Sequence, residues 1–148
     1  MRCVIDTNVY LSFLLMPFKV ESPPTRIVQM IPEGVFDLIF PMETAIELRL
    51  NVKTKPALRD LIAESSVEAL IESMANVAIP VAFRQFAHPN VPDLKDAYLL
   101  DAAASGNAEF LITRDKPLLE KAVLAKGTSI VTPAEFLLLL DVLPEQRR

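Results

Sequence analysis

Four acidic side chains, placed near the ends of predicted strands or the starts of predicted helices, have the clearest chemical potential in this sequence. Asp6 follows a β-branched apolar run, and Asp115 comes shortly after another apolar run. Glu47 and Asp96 lie near the beginnings of two predicted helices. Carboxylates crowded together raise one another's pKa unless a cation neutralises them, and all-oxygen ligands suit Mg²⁺ or Mn²⁺. The four acids predict a divalent-metal site if their elements meet.

Each acid also has a local explanation that needs no ligand. Asp6 and Asn8 can form an Asx turn where a strand becomes a helix. Asp93 and Asp115 are good helix N-caps, and Asp96, three residues after Asp93, can act as a capping-box acid. For Asp93 alone the cap is the better interpretation. The metal-site hypothesis is favoured because a single bound cation would explain the positions of several acids at once.

The positions of the acids along their helices indicate which of them are better explained by a ligand than by a local structural role. Glu43 lies in the first turn of its predicted helix, where the helix dipole favours an acid, but Glu47 lies beyond that turn. Asp96 shares a helix side with Leu99, which should face the sheet, and a carboxylate there is costly unless it is paired or metal-bound. Asp101 points about 140° away from Asp96, so we expect it to be solvated.

Predicted strands alternate with predicted helices, which implies an α/β fold with a mainly parallel central sheet flanked by helices on both faces. We expect about five strands and a single domain over residues 1–148. Pro80 lacks an N–H donor and places its strand at a sheet edge. The predicted strands are 3–5, 35–40, 77–82, 108–112 and 128–131.

Hydrophobic periodicity and capping residues predict the helices between these strands. Residues 57–75 read as a pair of amphipathic helices hinged near Ser65 and Ser66. The tail helix, which Thr132 caps, is apolar all round and predicts burial in the fold or in a homodimer through Leu138, Leu139 and Val142. The predicted helices are 9–15, 23–31, 42 to about 52, 57–75, one that opens at residues 93–96 and includes residue 103, 118–126, and the tail helix from 133 through 142.

Composition narrows the class of protein. Hydrophobic residues make up 51% of the 148 residues, yet no apolar run reaches membrane-spanning length. One cysteine cannot form an internal disulfide, and the start of the chain has no signal-peptide pattern, so we expect a cytoplasmic protein. Only three glycines are present and no phosphate-binding loop motif occurs. The net charge of −4 argues against a diffuse basic nucleic-acid footprint.

With these residues in place, the sequence resembles the PIN domain family, and in particular the small prokaryotic PIN proteins that serve as toxins of toxin–antitoxin pairs. The resemblance extends over nearly the whole chain, with its motifs in the right order. Two positions depart from the pattern: Pro41 stands where a serine is common, and Arg114 where a glycine is common. Neither removes an acid. The motifs are Val4-Ile5-Asp6-Thr7-Asn8, Glu47-Leu48, Asp93-Leu94-Lys95-Asp96 and Leu111-Ile112-Thr113-Arg114-Asp115.

The resemblance implies a metal-dependent ribonuclease that hydrolyses RNA phosphodiester bonds with Mg²⁺ or Mn²⁺. It places the catalytic, metal-binding quartet on Asp6, Glu47, Asp96 and Asp115, with Asp93 as an accessory acid and Asn8 and Thr113 as polar supports. Basic residues near the rim must meet the phosphates, and the candidates are Arg114, Lys95 and Arg49, followed by Lys53, Arg84 and Lys116. The partners implied are an RNA substrate and a cognate antitoxin, whose helix could bind between the apolar segments 27–31 and 57–74.

Two other classes of function stay open. A PIN-like domain can bind RNA or protein without cleaving it, and such a module would not bind Mn²⁺. A phosphoryl-transfer enzyme could use Asp6 as a nucleophile, but that chemistry needs a second Asp two residues later, where this chain has Asn8. His88 is the only histidine, so a zinc site is not expected.

Overall fold

A four-stranded parallel sheet in the order β2-β1-β3-β4 forms the centre of the fold. The computed structural model describes residues 1–86, 94–120 and 127–142. The strands are β1 Arg2–Ile5, β2 Asp37–Ile39, β3 Phe110–Ile112 and β4 Ser129–Val131. The helices are α1 Thr7–Leu15, α2 Pro23–Met30, α3 Met42–Thr54, α4 Pro56–Arg59, α5 Glu64–Val77, α6 Leu94–Ser105, α7 Lys116–Leu119 and α8 Pro133–Val142.

Strand β1 is central because it is apolar on both faces. Val4 pairs with Ile39 on one side and with Leu111 on the other. Its side chain lies in an apolar cluster beneath α6, whereas Cys3 and Ile5 lie in a larger cluster that includes α1, α2, α3, α5 and α8. Such burial on both faces is typical of parallel sheets. The predicted α/β architecture, with helices on both faces, is confirmed. Strand β1 lies in the middle of the sheet and ends at Ile5, directly before Asp6.

The predicted fifth strand is wrong. Helix α5 continues to Val77, and no strand follows it among the described residues up to 86. The segment does lie at the sheet edge that the prediction gave it, since the N–H of Ile79 donates to the carbonyl of Leu38 at 2.9 Å. Strand β2 ends at Ile39, and the chain then enters α3, so little edge remains for a longer ladder.

Two further expectations need correction. The break in the predicted helix pair falls at residues 60–63, and Ser65 and Ser66 lie inside the first turn of α5. Serine is common near helix N-termini, which explains why the pair marks a helix start rather than a hinge. Asp101 is not simply solvated, because its Oδ1 accepts the N–H of Phe86 at 3.0 Å.

The tail helix is capped at the predicted residue but leaves part of its apolar surface exposed, and a homodimer through that surface stays a prediction. Thr132 caps α8 by accepting the N–H of Glu135 at 3.1 Å. Leu138 and Leu139 are 68% and 37% exposed, and the side chain of Val142 lies outside the described residues. Helices α1, α2 and α5 border an open, mostly apolar groove of about 520 Å³. In the described ranges, no helix is long and apolar enough to cross a membrane.

The contact of Gly106 with β2 generates a stability prediction. Gly106 is buried after α6, and a Cβ added there would overlap Cδ1 of Ile39. Gly106→Ala should therefore lower the free energy of unfolding by about 1–3 kcal/mol, the usual cost of overpacking. Ile39→Val removes the overlapping methyl group, so the same glycine substitution should cost less in that background. Urea denaturation of the two single variants and the double variant measures the difference, and an equal cost in both backgrounds would contradict the packing argument.

Candidate active site

The carboxylate of Asp6 is buried at the carboxyl end of β1, where it also forms the N-cap of α1. It is 7% exposed. Its Oδ1 accepts the N–H of Thr7 at 2.7 Å. Its Oδ2 accepts the hydroxyl of Thr113 at 2.7 Å and the side-chain amide of Asn8 at 3.3 Å. Asn8 and Thr113, predicted as polar supports, thus both donate to this acid.

The pKa of Asp6 is raised to about 6, first because burial disfavours its charged form. The hydrogen bonds from Thr113 and Thr7 oppose that shift, whereas the negative charges of Glu47 and Asp96 reinforce it. Two acids on separate helices are therefore within electrostatic reach of Asp6. The role of metal ligand, which the sequence suggested for Asp6, Glu47 and Asp96, stays a prediction.

Glu47 is fixed by two hydroxyl groups from other elements. Its Oε2 accepts the hydroxyl of Thr7 at 2.8 Å and that of Tyr98 at 3.1 Å. Burial raises the pKa of Tyr98 well above its usual range, so the phenol stays protonated and donates. Sequence reasoning missed Tyr98. The only available signal was an aromatic hydroxyl two residues after Asp96 on the same helix.

Asp115 reaches the site through the loop after β3. Its N–H donates to Oγ1 of Thr113 at 2.9 Å, so one threonine hydroxyl contacts both Asp6 and the backbone of Asp115. The N–H of Arg114 donates to Oδ1 of Asn8 at 3.1 Å, and its guanidinium donates to Ser12. These residues surround an open cleft of about 460 Å³. Its polar lining includes Asp6, Asn8, Ser12, Arg114 and Asp115.

Arg49 and the segment before α6 complete the predicted set. Arg49 is exposed on α3 and forms a two-pronged pair with Glu68 of α5, with N–O distances of 2.7 and 3.0 Å. This ion pair holds the guanidinium of Arg49 against α5 at the protein surface. Asp93 and His88 lie outside the described residues, as does the side chain of Lys95.

The chemistry of the donors fits a divalent metal, although the carboxylates stand apart from one another. Among the described residues, no group of three or more His, Cys, Asp or Glu side chains is close enough to hold an ion. Glu47 is turned towards Thr7 and Tyr98 instead. A carboxylate offers about four lone-pair directions, and the three bonds to Asp6 leave one of them for a ligand. Oxygen donors of this kind suit Mg²⁺ or Mn²⁺.

Comparison with known protein families identifies the family of the chain. A family model, the PIN domain, matches residues 2–117. The chain belongs to the PIN domain family. The match begins in β1 and ends in α7, so it contains all four acids. PIN domains are generally nucleases, and these nucleases usually use divalent metal ions. No curated protein and no solved structure matched the chain.

The raised pKa of Asp6 generates a prediction for the metal-free protein. Between its unfolded value of 3.8 and its folded value of about 6, the folded state binds more protons than the unfolded state. The contribution of this group to stability is therefore present at low pH and is lost as the pH rises through about 6. From pH 4.5 to 7.5 the loss should be about 2 kcal/mol.

Urea denaturation in EDTA would measure this loss, with Asp6→Asn as the reference that cannot titrate. Carboxylates distant from Asp6 contribute equally to both proteins, so the difference between their free energies of unfolding reports Asp6 together with its interaction with Glu47 and Asp96. We expect that difference to change in favour of Asp6→Asn as the pH rises. A difference independent of pH would mean that burial does not penalise the Asp6 anion.

Proposed function

We propose that this PIN domain protein is a Mg²⁺- or Mn²⁺-dependent endoribonuclease. One observation carries the proposal: Asp6 is a carboxylate whose pKa is raised first by burial and then by the charges of Glu47 and Asp96, and it shares an open cleft with Asp115. Burying an acid among other acids destabilises a protein unless a bound cation compensates. The family match supports nuclease chemistry, and its usual metals agree with the oxygen donors.

In this proposal the protein orients its acids and the substrate for phosphodiester hydrolysis. Asp6 is the central ligand, and Thr113 and the N–H of Thr7 fix the direction of its oxygens. Glu47, Asp96 and Asp115 complete the ligand set. A bound Mg²⁺ or Mn²⁺ lowers the pKa of a water and stabilises the leaving oxygen. Arg114, which is exposed at the rim of the cleft, would contact a phosphate of the substrate.

Tyr98 and Thr7 act as positioning residues in this scheme. Their hydroxyls both bind one oxygen of Glu47, Oε2, and these two bonds do not involve its other oxygen, Oε1. Partners of this kind orient ligating carboxylates and tune their affinity for metal.

The toxin role is a further part of the proposal. The resemblance to toxin-type PIN proteins suggests an antitoxin that masks the nuclease. The apolar groove between α1, α2 and α5 supports this partner, because its volume and its lining by Phe13, Leu14, Leu70 and Met74 suit an amphipathic helix.

A non-catalytic RNA- or protein-binding module is the second candidate. The observation that favours it is the separation of the acids, since the described residues contain no group of three that could hold an ion. Such a module would keep the fold and the clefts but bind no divalent metal. RNA cleavage therefore separates the two candidates directly.

Asp115→Asn is the variant that tests the proposed chemistry. Asp115 is only partly buried, and the bond from its backbone N–H to Thr113 does not depend on the carboxylate, so the fold should be retained. We expect Mn²⁺-dependent cleavage of single-stranded RNA to fall at least about 100-fold, the upper effect seen for groups that tune metal sites. The measurement is the initial rate on a labelled RNA, with EDTA as the zero-metal reference.

The matched control is Asp60→Asn, which removes an exposed carboxylate at the end of α4. Its cleavage rate should equal that of the wild type. Equal rates for the wild type, Asp115→Asn and Asp60→Asn would show that the observed cleavage does not use this site. No metal-dependent cleavage by the wild type would favour the binding module.

A further inference from the structure

An extended segment, residues 81–86, crosses the surface beside the acidic site and is fastened to α6 at two points. We call it the strap. The N–H of Arg84 donates to Ser105 Oγ at 2.9 Å, and the same hydroxyl donates to the Arg84 carbonyl at 3.4 Å. The N–H of Phe86 donates to Asp101 at 3.0 Å. These bonds to side chains of α6 hold the backbone of the strap in place.

The side chains of the strap are unusual for a surface segment. Phe83 and Phe86 are each 46% exposed, and the exposed Arg84 and Gln85 lie between them. A single exposed apolar side chain needs no explanation, but here two aromatic rings flank a cation on a fastened backbone. Aromatic faces combined with a nearby positive charge are what proteins use to bind single-stranded nucleic acids.

Both rings line a cleft that adjoins the acidic site. The cleft has a volume of about 560 Å³, within the range of roughly 300–1,000 Å³ typical of ligand sites. Tyr98 belongs to both places, because it lines the cleft and its hydroxyl donates to Glu47. The remaining polar lining is Glu43, one turn before Glu47 on α3, Asp101 of α6, which accepts the N–H of Phe86, and the strap residues Arg84 and Gln85. A substrate lying across the acids would therefore pass next to this cleft.

We propose that the cleft binds an unpaired base of the RNA substrate, stacked on Phe83 or Phe86, and so selects single-stranded RNA. The proposal rests on the proposed ribonuclease function. Arg84 would contact a neighbouring phosphate, and Glu43 and Gln85 would meet the polar edge of the base. A base in a duplex hides its faces by stacking on its neighbours, so paired RNA would gain nothing from the two rings.

The mixed lining favours RNA over a protein partner as the occupant. A groove for an apolar helix would be lined mainly by aliphatic side chains, as in the groove between α1, α2 and α5. Here charged and amide groups alternate with aromatic rings, and the cleft touches the residue that holds Glu47. Bases combine an aromatic face with a polar edge, and this lining matches both.

The test is binding of RNA without cleavage. Fluorescence anisotropy of a labelled twelve-nucleotide oligo(A) in EDTA measures affinity for the wild type, Phe83→Ala and Phe86→Ala. We expect the dissociation constant to rise about tenfold in at least one variant, as is usual when a stacking ring is removed. The matching Phe→Tyr variants keep the aromatic face and should restore the affinity to within about twofold.

Two controls make the result specific. Phe18→Ala removes a ring that is 92% exposed in the loop between α1 and α2, outside the cleft lining, and should leave RNA affinity unchanged. Affinity for the same length of double-stranded RNA should be equal in all these proteins. Unchanged oligo(A) affinity in both alanine variants, or an equal loss for duplex RNA, would overturn the proposal.

The design also separates this proposal from the proposed function. If the wild type binds oligo(A) through the two rings but never cleaves, the stacking site stands and the nuclease assignment fails. If the wild type cleaves RNA but the alanine variants bind it normally, the nuclease assignment stands and the stacking site fails.

Discussion

The burial of one carboxylate, Asp6, is the constraint on which the rest of the site depends. It lies at the end of β1, the strand that pairs with β2 and β3 and is covered on both faces. A charge in that position is costly, and the protein offsets part of the cost with donors from Thr7, Asn8 and Thr113. The remaining cost appears as the raised pKa of Asp6, and it is the basis on which we propose a bound cation.

Threonine hydroxyls connect the separate elements around this carboxylate. Thr113 donates to Asp6 and accepts from the backbone of Asp115, so the ends of β1 and β3 are held in register. Thr7 donates its N–H to Asp6 and its hydroxyl to Glu47, which ties α3 to the same point. Asp6 and Glu47 are thus positioned through neutral donors.

The sheet and the central acid were predictable because they depend on local signals. Apolar runs that end at Asp6 and near Asp115 reveal buried strands and the edge where they finish. A fifth strand was predicted because Val77 to Ala82 are residues common in strands. The prediction was wrong because β2 offers too short an edge for pairing, which only the tertiary structure shows. Tyr98 and the Arg49–Glu68 pair were missed because each links helices distant in sequence, which periodicity along one helix cannot reveal.

Calorimetric titration of Mn²⁺ into the EDTA-treated, dialysed protein at pH 7 tests the central claim most directly. If the acids around Asp6 form a metal site, the wild type and Asp60→Asn should bind Mn²⁺ with equal affinity and about one or two ions per chain. Asp6→Asn should show at least about tenfold weaker binding, with circular dichroism confirming its fold. Binding that is absent at millimolar Mn²⁺, or that is the same in Asp6→Asn, would contradict the account.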